Sequence, residues 1–305
     1  MQLPKVSIIT ITYNHENYIL DTIKGVFIQQ YDGPIEFIIA NDNSPDNTDT
    51  VVKNYLNEVV VPKNIEIKYT AHTINKGINI NFTWALQQAS GKYIAMCEGD
   101  DYWIDPLKLQ KQVDFLENNP EYVMCFHKIK ILKTNSGEIV DDFITRVPKE
   151  YKSLMNLIST TNYIHTPSVV FKNVIEKMPF EFSYTNIGDY FLYIILGHYG
   201  YYGHIEDEMA IYRYGSGFFS NSSRVDIIKN NILLTSLLLS YLDDPAQKEI
   251  LLKRHESAIN SLEKIYILKY KRSFFSNNLI FKILSFVFKN INKPKIILKK
   301  ILNKI

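Results

Sequence analysis

The stretch Tyr93-Ile94-Ala95-Met96-Cys97-Glu98-Gly99-Asp100-Asp101-Tyr102-Trp103 decides how this chain is read. The apolar run Tyr93 to Cys97 follows a turn at Ser90-Gly91 and has the length and composition of a buried strand. It leads directly into Glu98, Asp100 and Asp101. A strand ending in acids belongs at the carboxyl edge of an α/β sheet, where such sheets bind ligands. Crowded carboxylates repel one another unless a cation sits between them. Oxygen-only ligation suits a hard ion such as Mg²⁺ or Mn²⁺, which in turn suits a phosphate-bearing substrate. Taken alone, the same residues could be a solvated turn capping the next helix, so the surrounding sequence carries the decision.

Upstream lie three more strand–helix units. Val6-Ser7-Ile8-Ile9-Thr10-Ile11-Thr12 is β-branched and continuous, as a strand covered on both faces should be. Asn14-His15-Glu16 breaks it, and Ile19, Ile23, Val26 and Phe27 recur at helical spacing. Ile35 to Ala40 and Ile65 to Tyr69 read as strands, with helices through Val51, Val52 and Tyr55 and over residues 79–89. This β-α-β-α-β-α-β order predicts a mostly parallel central sheet flanked by helices. Downstream of Pro106 the pattern loosens. We expect a helix from Leu107 to Leu116 and a long hairpin, Tyr122 to Leu132 and Glu138 to Ile144, about Asn135-Ser136-Gly137. Strands follow at Thr166 to Phe171 and Met209 to Arg213, with a helix over Tyr190 to Leu196 between them and helix throughout from about Val225. Tyr199, Tyr201 and Tyr202 read as sheet packing.

With 305 residues, 46% apolar and 22% charged, the chain is a folded protein with room for one large α/β domain and an appendage. Cys97 and Cys125 sit inside apolar runs and read as buried thiols in a reducing compartment. The first residues carry no basic n-region or long apolar h-region, so no signal peptide is expected. No apolar run reaches the ~18 residues of a spanning helix. The net charge of +2 hides an asymmetry: thirteen basic residues oppose two acidic ones from Lys253 onward, a net +11, leaving −9 on the first 252 residues.

On Val6 to Asn14, the loop Ala40-Asn41-Asp42-Asn43-Ser44-Pro45-Asp46-Asn47-Thr48, Asn75-Lys76-Gly77 and Glu98-Gly99-Asp100-Asp101, the chain resembles the family 2 glycosyltransferases, which have the GT-A fold. The motifs keep the family's order and spacing across roughly residues 4–220. The resemblance implies a donor-nucleotide set of Thr12, Tyr13, Asn14, Asp42, Asn75, Lys76 and Gly77, with Tyr13 stacking near the base and Asp42 bonding it. Asn41 and Asn43 replace the usual acid and glycine of that loop, and Asn tolerates the positive φ the turn needs. Asp100 and Asp101 match the pair that contacts the donor ribose and holds the metal, Asp101 being the expected direct ligand. The longer Glu98 replaces an Asp and is not expected in the metal set. Asp189, in Asn186-Ile187-Gly188-Asp189-Tyr190, matches the family's general base, and a first-turn helix acid is its structural alternative. Tyr212-Arg213 is followed by Tyr214-Gly215-Ser216-Gly217, without the His that relatives carry and with the Gly pair interrupted. Arg213 is either a diphosphate contact or one half of an ion pair. Trp103 and Tyr102 are either an acceptor-pocket floor or core, and Asp46 and Thr48 are expected to cap the second helix.

The implied activity is metal-dependent, inverting transfer of a sugar from a nucleotide-diphosphate-sugar, a UDP-sugar first, to a saccharide acceptor. The expected organisation is a catalytic domain over 1–222, with a nucleotide-binding half over 1–105 and an acceptor-side half over 106–222. A helical, basic and apolar region over 223–305 follows. In its last part Phe281, Phe286 and Ile297 alternate with Lys282, Lys289, Lys293 and Lys299, the composition of a helix in a membrane interface. The expected location is therefore cytoplasmic and peripheral on the inner face of the plasma membrane, with a lipid-linked glycan or surface-polysaccharide precursor as acceptor. Packing of this region on protein is the alternative. Nucleic acid is not an expected partner, because the body is acidic and the lysines are interleaved with Phe and Ile. Two other functional classes remain at this point: a nucleotidyltransferase, for which the glycine-free Thr12-Tyr13-Asn14-His15-Glu16 is a poor match, and a non-catalytic glycan-binding anchor.

Overall fold

The computed structural model describes residues 3–277. In chain order its elements are β1 (Val6–Thr12), α1 (Ile19–Phe27), β2 (Ile35–Asn41), α2 (Thr48–Glu58), β3 (Ile65–Ala71), α3 (Ile78–Gln87), β4 (Tyr93–Met96), β5 (Tyr102–Trp103), α4 (Lys108–Asn118), β6 (Tyr122–Lys133), β7 (Ile139–Asp141), α5 (Leu154–Ser159), β8 (Val170–Lys172), α6 (Gly188–Leu196), β9 (Tyr201–Tyr214), the single turn α7 (Phe218–Asn221), α8 (Arg224–Tyr241) and α9 (Pro245–Asn277).

One sheet runs through the molecule in the order β3-β2-β1-β4-β8-β6-β9-β5, with β7 hairpinned onto β6. The first four strands are parallel, with Val6 level with both Ile35 and Tyr93. Beyond β4 the sheet is mixed: β8 is antiparallel to both β4 and β6, β9 is parallel to β6, and β5 is antiparallel to β9. The parallel expectation therefore holds for the first half only. Alternate residues of β1 face opposite layers. Ile9 packs with Phe82, Phe191 and Leu238 on one side, and Val6 and Ile8 pack with Ile19, Ile23, Val52 and Val113 on the other. That double cover is why the strand sequence shows no polar alternation.

Three local readings change. Pro167 cannot donate to a ladder, so Thr166–Ser168 is a 3₁₀ turn and the strand there shrinks to β8. Met209 to Arg213 is the end of a 14-residue strand, whose earlier part is disguised by Glu206-Asp207-Glu208 at a register break against His127 and Lys128. Tyr199 is exposed in the turn after α6, whereas Tyr202 is buried on β9. Cys97 and Cys125 are buried free thiols.

Helices α8 and α9 join one of the two apolar layers that cover the sheet. Leu234, Leu238, Leu242 and Leu251 belong to the same apolar cluster as Phe191, and Arg254 Nη1 donates to the Ile158 carbonyl and the Tyr190 hydroxyl at 2.9 and 2.7 Å. Among the described residues no helix is long and apolar enough to cross a membrane. The Phe281 to Lys299 alternation lies outside the described residues.

Candidate active site

The site forms where β1, β2 and β4 end and the last turn of β9 crosses them. Gly99 N–H donates to the Ile11 carbonyl and Asp101 N–H to the Glu98 carbonyl, each at 3.0 Å, which folds the acidic loop back over β1. A Cβ at Gly99 would lie 2.6 Å from Thr12 Oγ1 and 2.8 Å from His15 Nδ1, so the loop seats only because that residue is glycine. The result brings one carboxylate oxygen from each of Glu98, Asp100 and Asp101 within 4.8 Å of the others. Glu98, expected to stay outside the metal set, is part of this cluster: the loop's return brings its longer side chain back to the two aspartates.

Each acid has a distinct environment. Asp101 is 1% exposed. Its Oδ1 accepts from the Arg213 backbone N–H at 2.8 Å, and its Oδ2 is buried with no hydrogen-bond partner. Asp100 Oδ2 accepts from Ser216 Oγ at 2.9 Å and lies 3.9 Å from His15 Nε2. Burial, then the charges of Asp100 and Asp189, push Glu98 up to about 8. Burial and the other two acids hold Asp101 well above the carboxylate range. Desolvation lowers His15 despite the adjacent Asp100. An orphaned buried carboxylate oxygen among three mutually repelling acids is the donor set of a hard divalent cation, so the residues present fit one.

Arg213 is spent within the protein. Its guanidinium donates to the Asp100 carbonyl at 2.7 Å and to Asp21 Oδ2 at 2.5 Å, and it lies 4.7 Å from the Tyr18 ring and 5.0 Å from that of Tyr102. It makes the ion pair expected as one alternative, and it ties α1, β9 and the acidic loop together. Ser216, in the sequence only an interruption between two glycines, supplies a donor to Asp100.

The residues expected on the nucleotide side converge from three loops. Asp42 N–H donates to the Thr12 carbonyl at 2.9 Å, and the Asp42 carboxylate accepts from Lys76 N–H and Gly77 N–H at 2.7 and 2.9 Å. Asn75 Nδ2 donates back to the Asp42 carbonyl at 3.0 Å. Asn43 takes φ of 58°, as the substituted turn requires, and Asn41 Oδ1 accepts from both Ser44 N–H and Ser44 Oγ. Asn14 also has positive φ, and its N–H donates to Ser44 Oγ at 3.0 Å. Tyr13 is 47% exposed at the rim. The N-cap of α2 is Asn47, without a side-chain cap, so neither Asp46 nor Thr48 is the cap expected: Asp46 Oδ1 accepts from the Thr48 N–H at 3.0 Å just ahead of the helix, and Thr48 Oγ1 accepts from His15 N–H.

Asp189 occupies the first turn of α6, half-buried, and its Oδ2 accepts from Asn162 Nδ2 at 2.7 Å. Burial raises its pKa against the bonds from the Tyr190 N–H and Asn162, and its own charge is felt at Glu98. The loop ahead of it is pinned from α3: Asn79 Nδ2 donates to the Phe182 and Thr185 carbonyls at 2.9 and 2.5 Å, and Gly188 abuts the Asn79 side chain. Nothing in the sequence around Asn79 announces this role beyond two amides, Asn79 and Asn81, at the start of an otherwise apolar buried set on α3. Trp103 is core, 1% exposed, with its indole N–H on the Pro167 carbonyl at 2.9 Å and Lys108 Nζ 4.1 Å from its ring. His165 pairs with Asp142 at 3.0 Å and His204 lies 3.4 Å from Glu206, so both imidazoles are engaged outside the acidic cluster.

With this geometry in hand, the profile described as "Glycosyl transferase family 2" matches residues 7–178, more than half of the chain. The chain belongs to glycosyl transferase family 2. An uncharacterised protein of Mycobacterium tuberculosis is 32% identical over 214 residues, covering 68% of this chain and 58% of that protein, so the match spans under three-fifths of this relative. The UDP-Glc:alpha-D-GlcNAc-diphosphoundecaprenol beta-1,3-glucosyltransferase WfgD of Escherichia coli is 30% identical over 190 residues, 62% of this chain and 68% of that enzyme. Among solved structures, the mannosyltransferase PcManGT of Pyrobaculum calidifontis, in complex with GDP-Man and Mn²⁺, aligns with a TM-score of 0.62 at 15% identity, over 95% of this chain and 81% of that one. The fold shared with this family 2 chain is the GT-A fold.

Proposed function

We propose that this family 2 member is a metal-dependent, inverting glycosyltransferase that moves one sugar from a nucleotide-diphosphate-sugar to a saccharide acceptor. The observation that carries the reading is the cluster of Glu98, Asp100 and Asp101 with the base candidate Asp189 close enough to raise Glu98. Asp101 and Asp100 would hold Mn²⁺ or Mg²⁺, which supplies charge neutralisation for a departing diphosphate. Asp42, locked by the Lys76 and Gly77 N–H groups, presents a fixed carboxylate to the donor base, and Tyr13 offers an exposed ring to stack on it. Thr12, Asn14 and Asn75 shape that pocket. Asp189 takes the proton of the acceptor hydroxyl as its oxygen attacks the anomeric carbon and the bond to the diphosphate breaks, inverting the centre. Asn162 holds the Asp189 carboxylate in orientation.

The E. coli relative's name supports a UDP-sugar donor and an acceptor carried on a diphospho-lipid, and such an acceptor agrees with a cytoplasmic protein whose basic C-terminal residues meet an anionic membrane. The deciding experiment is a screen of nucleotide sugars for Mn²⁺-dependent release of free nucleotide. Release from at least one donor, abolished by chelator, is the expected result. Inactivity with every donor, or turnover indifferent to chelator, overturns the reading.

A further inference from the structure

A cleft of about 500 Å³ opens beside the acidic cluster, lined by Ser216, Gly217, Asn221, Ser222, Asp226 and Asn230. One end touches the metal-site candidate: Ser216 Oγ donates to Asp100 Oδ2 at 2.9 Å, and a Cβ on Gly217 would stand 3.4 Å from the same oxygen. The other end reaches the loop carrying Asp189, because Asn230 Oδ1 accepts from Asn186 Nδ2 at 2.8 Å. The cleft thus links the acid expected to meet the donor with the loop that carries the base. Asp226 and Asn230 lie one turn apart on α8 and share a face. Ser223 Oγ orients the exposed Asp226 carboxylate through Oδ2 at 2.6 Å, and the Asn230 side chain is held through its Oδ1.

The lining chemistry selects a ligand class. Among the described side chains the lining is hydroxyls, amides and one carboxylate, with no cation. On the α8 side, away from Asp100, a phosphate would meet only the Asp226 charge, whereas a sugar ring offers hydroxyls that donate to a carboxylate and accept from an amide. The volume is that of an ordinary small-molecule site. We infer that this cleft is the subsite for a neutral saccharide, the sugar at the accepting end of the acceptor, and that Asp226 and Asn230 are its specificity-determining residues. The inference rests on the glycosyl-transfer reading above. It makes the start of α8, which the sequence sets apart as an appendage, a wall of the site.

The test uses the full chain and a panel of neutral alkyl glycosides (glucoside, galactoside, N-acetylglucosaminide) with the variants Asp226→Ala, Asp226→Asn and Asn230→Ala. Saturation-transfer NMR reads glycoside binding without turnover, and nucleotide release reads transfer. We expect at least one glycoside to bind the wild type. Each alanine variant should weaken that binding, and raise the KM for that glycoside, by about tenfold or more, as the loss of a hydrogen bond to a charged or buried group implies. Affinity for the nucleotide sugar should stay put, and Asp226→Asn should recover part of the loss. Glycoside binding that is absent from the folded wild type, or unchanged in alanine variants that melt like wild type, overturns the inference. Glycoside binding in a protein that turns over no donor overturns the transfer reading instead.

Discussion

At the residue scale the site depends on groups whose surroundings are unfavourable until something binds. Asp101 buries a carboxylate oxygen with no partner, so Asp101→Ala should keep the fold and lose divalent-ion binding. We expect Mn²⁺ titration by calorimetry or by electron paramagnetic resonance to show no binding at the wild-type affinity, and transfer to be abolished. Unaltered Mn²⁺ affinity in that variant would remove Asp101 from the metal set. Asp189→Asn keeps size and helix position but removes the proton acceptor. General bases contribute about 10²–10⁴-fold, so kcat should fall by that much while donor affinity holds. Equal losses in donor binding and rate would make Asp189 a binding residue. Gly99 is the steric licence for the acidic loop that carries Asp101. Gly99→Ala forces a methyl against Thr12 and His15, a misfit of about 1–3 kcal/mol that urea unfolding should register together with weakened Mn²⁺ binding.

At the element scale, the parallel strands are held at the end opposite the site by Glu36, whose carboxylate is fully buried at the start of β2. It accepts from Ser7 Oγ and Ser90 N–H and pairs with Lys68 at 2.7 Å and Lys5 at 3.0 Å, joining β1, β2, β3 and the turn before β4. Burial alone would raise its pKa, yet the bonds from Lys68, Ser7, Ser90 and Lys5 prevail and hold it at about 2. A depressed folded pKa means stability that is complete above the unfolded value near 4.5 and is lost as pH falls through the folded value. Glu36→Gln should therefore lose ~3 kcal/mol at pH 7, and its unfolding free energy should fall less than wild type's between pH 5 and pH 2. Parallel pH profiles for the two proteins would show that Glu36 is not the linked group. The same strands show what was legible. β1, β2 and β4 are mainly apolar runs bounded by turn residues, β3 alternates apolar with charged residues, and all four appear within a residue or two of expectation. β5 has two residues and β9 hides three acids at a bulge, so neither has a periodicity to read.

At the scale of the whole molecule, α8 and α9 pack their apolar faces on the catalytic core, and Arg254 clamps the helix that bears Asp189. The basic excess lies further along the chain, with seven lysines after Asn277. A chain ending at Asn277 should remain folded and bind donor, and should lose affinity for vesicles of anionic lipid. Near such a surface each lysine contributes ~1 kcal/mol, so binding of the intact chain should also weaken steeply with salt. Co-sedimentation at low and high salt decides the matter. Equal pelleting of the two chains, or none by either, assigns those residues to packing or assembly.

The sequence by itself determined the residue types of the candidate site and the half-sheet that presents them. Each motif follows a strand whose end is visible in the apolar pattern, so strand order placed the loops of Asp42, Asn75-Lys76-Gly77, Asp100 and Asp101, and the family resemblance gave those residues their expected roles. Asn43 could be given its positive φ from residue chemistry. Only the tertiary structure decided the pairings across long separations in the chain. Arg213 meets Asp21 and the Asp100 carbonyl, Glu98 turns back into the acidic cluster, Asn79 pins the loop before Asp189, and Ser216 reaches Asp100. Such contacts depend on how a loop returns over the sheet and on which side chains find partners once water is excluded. Neither leaves a period or a spacing in the chain.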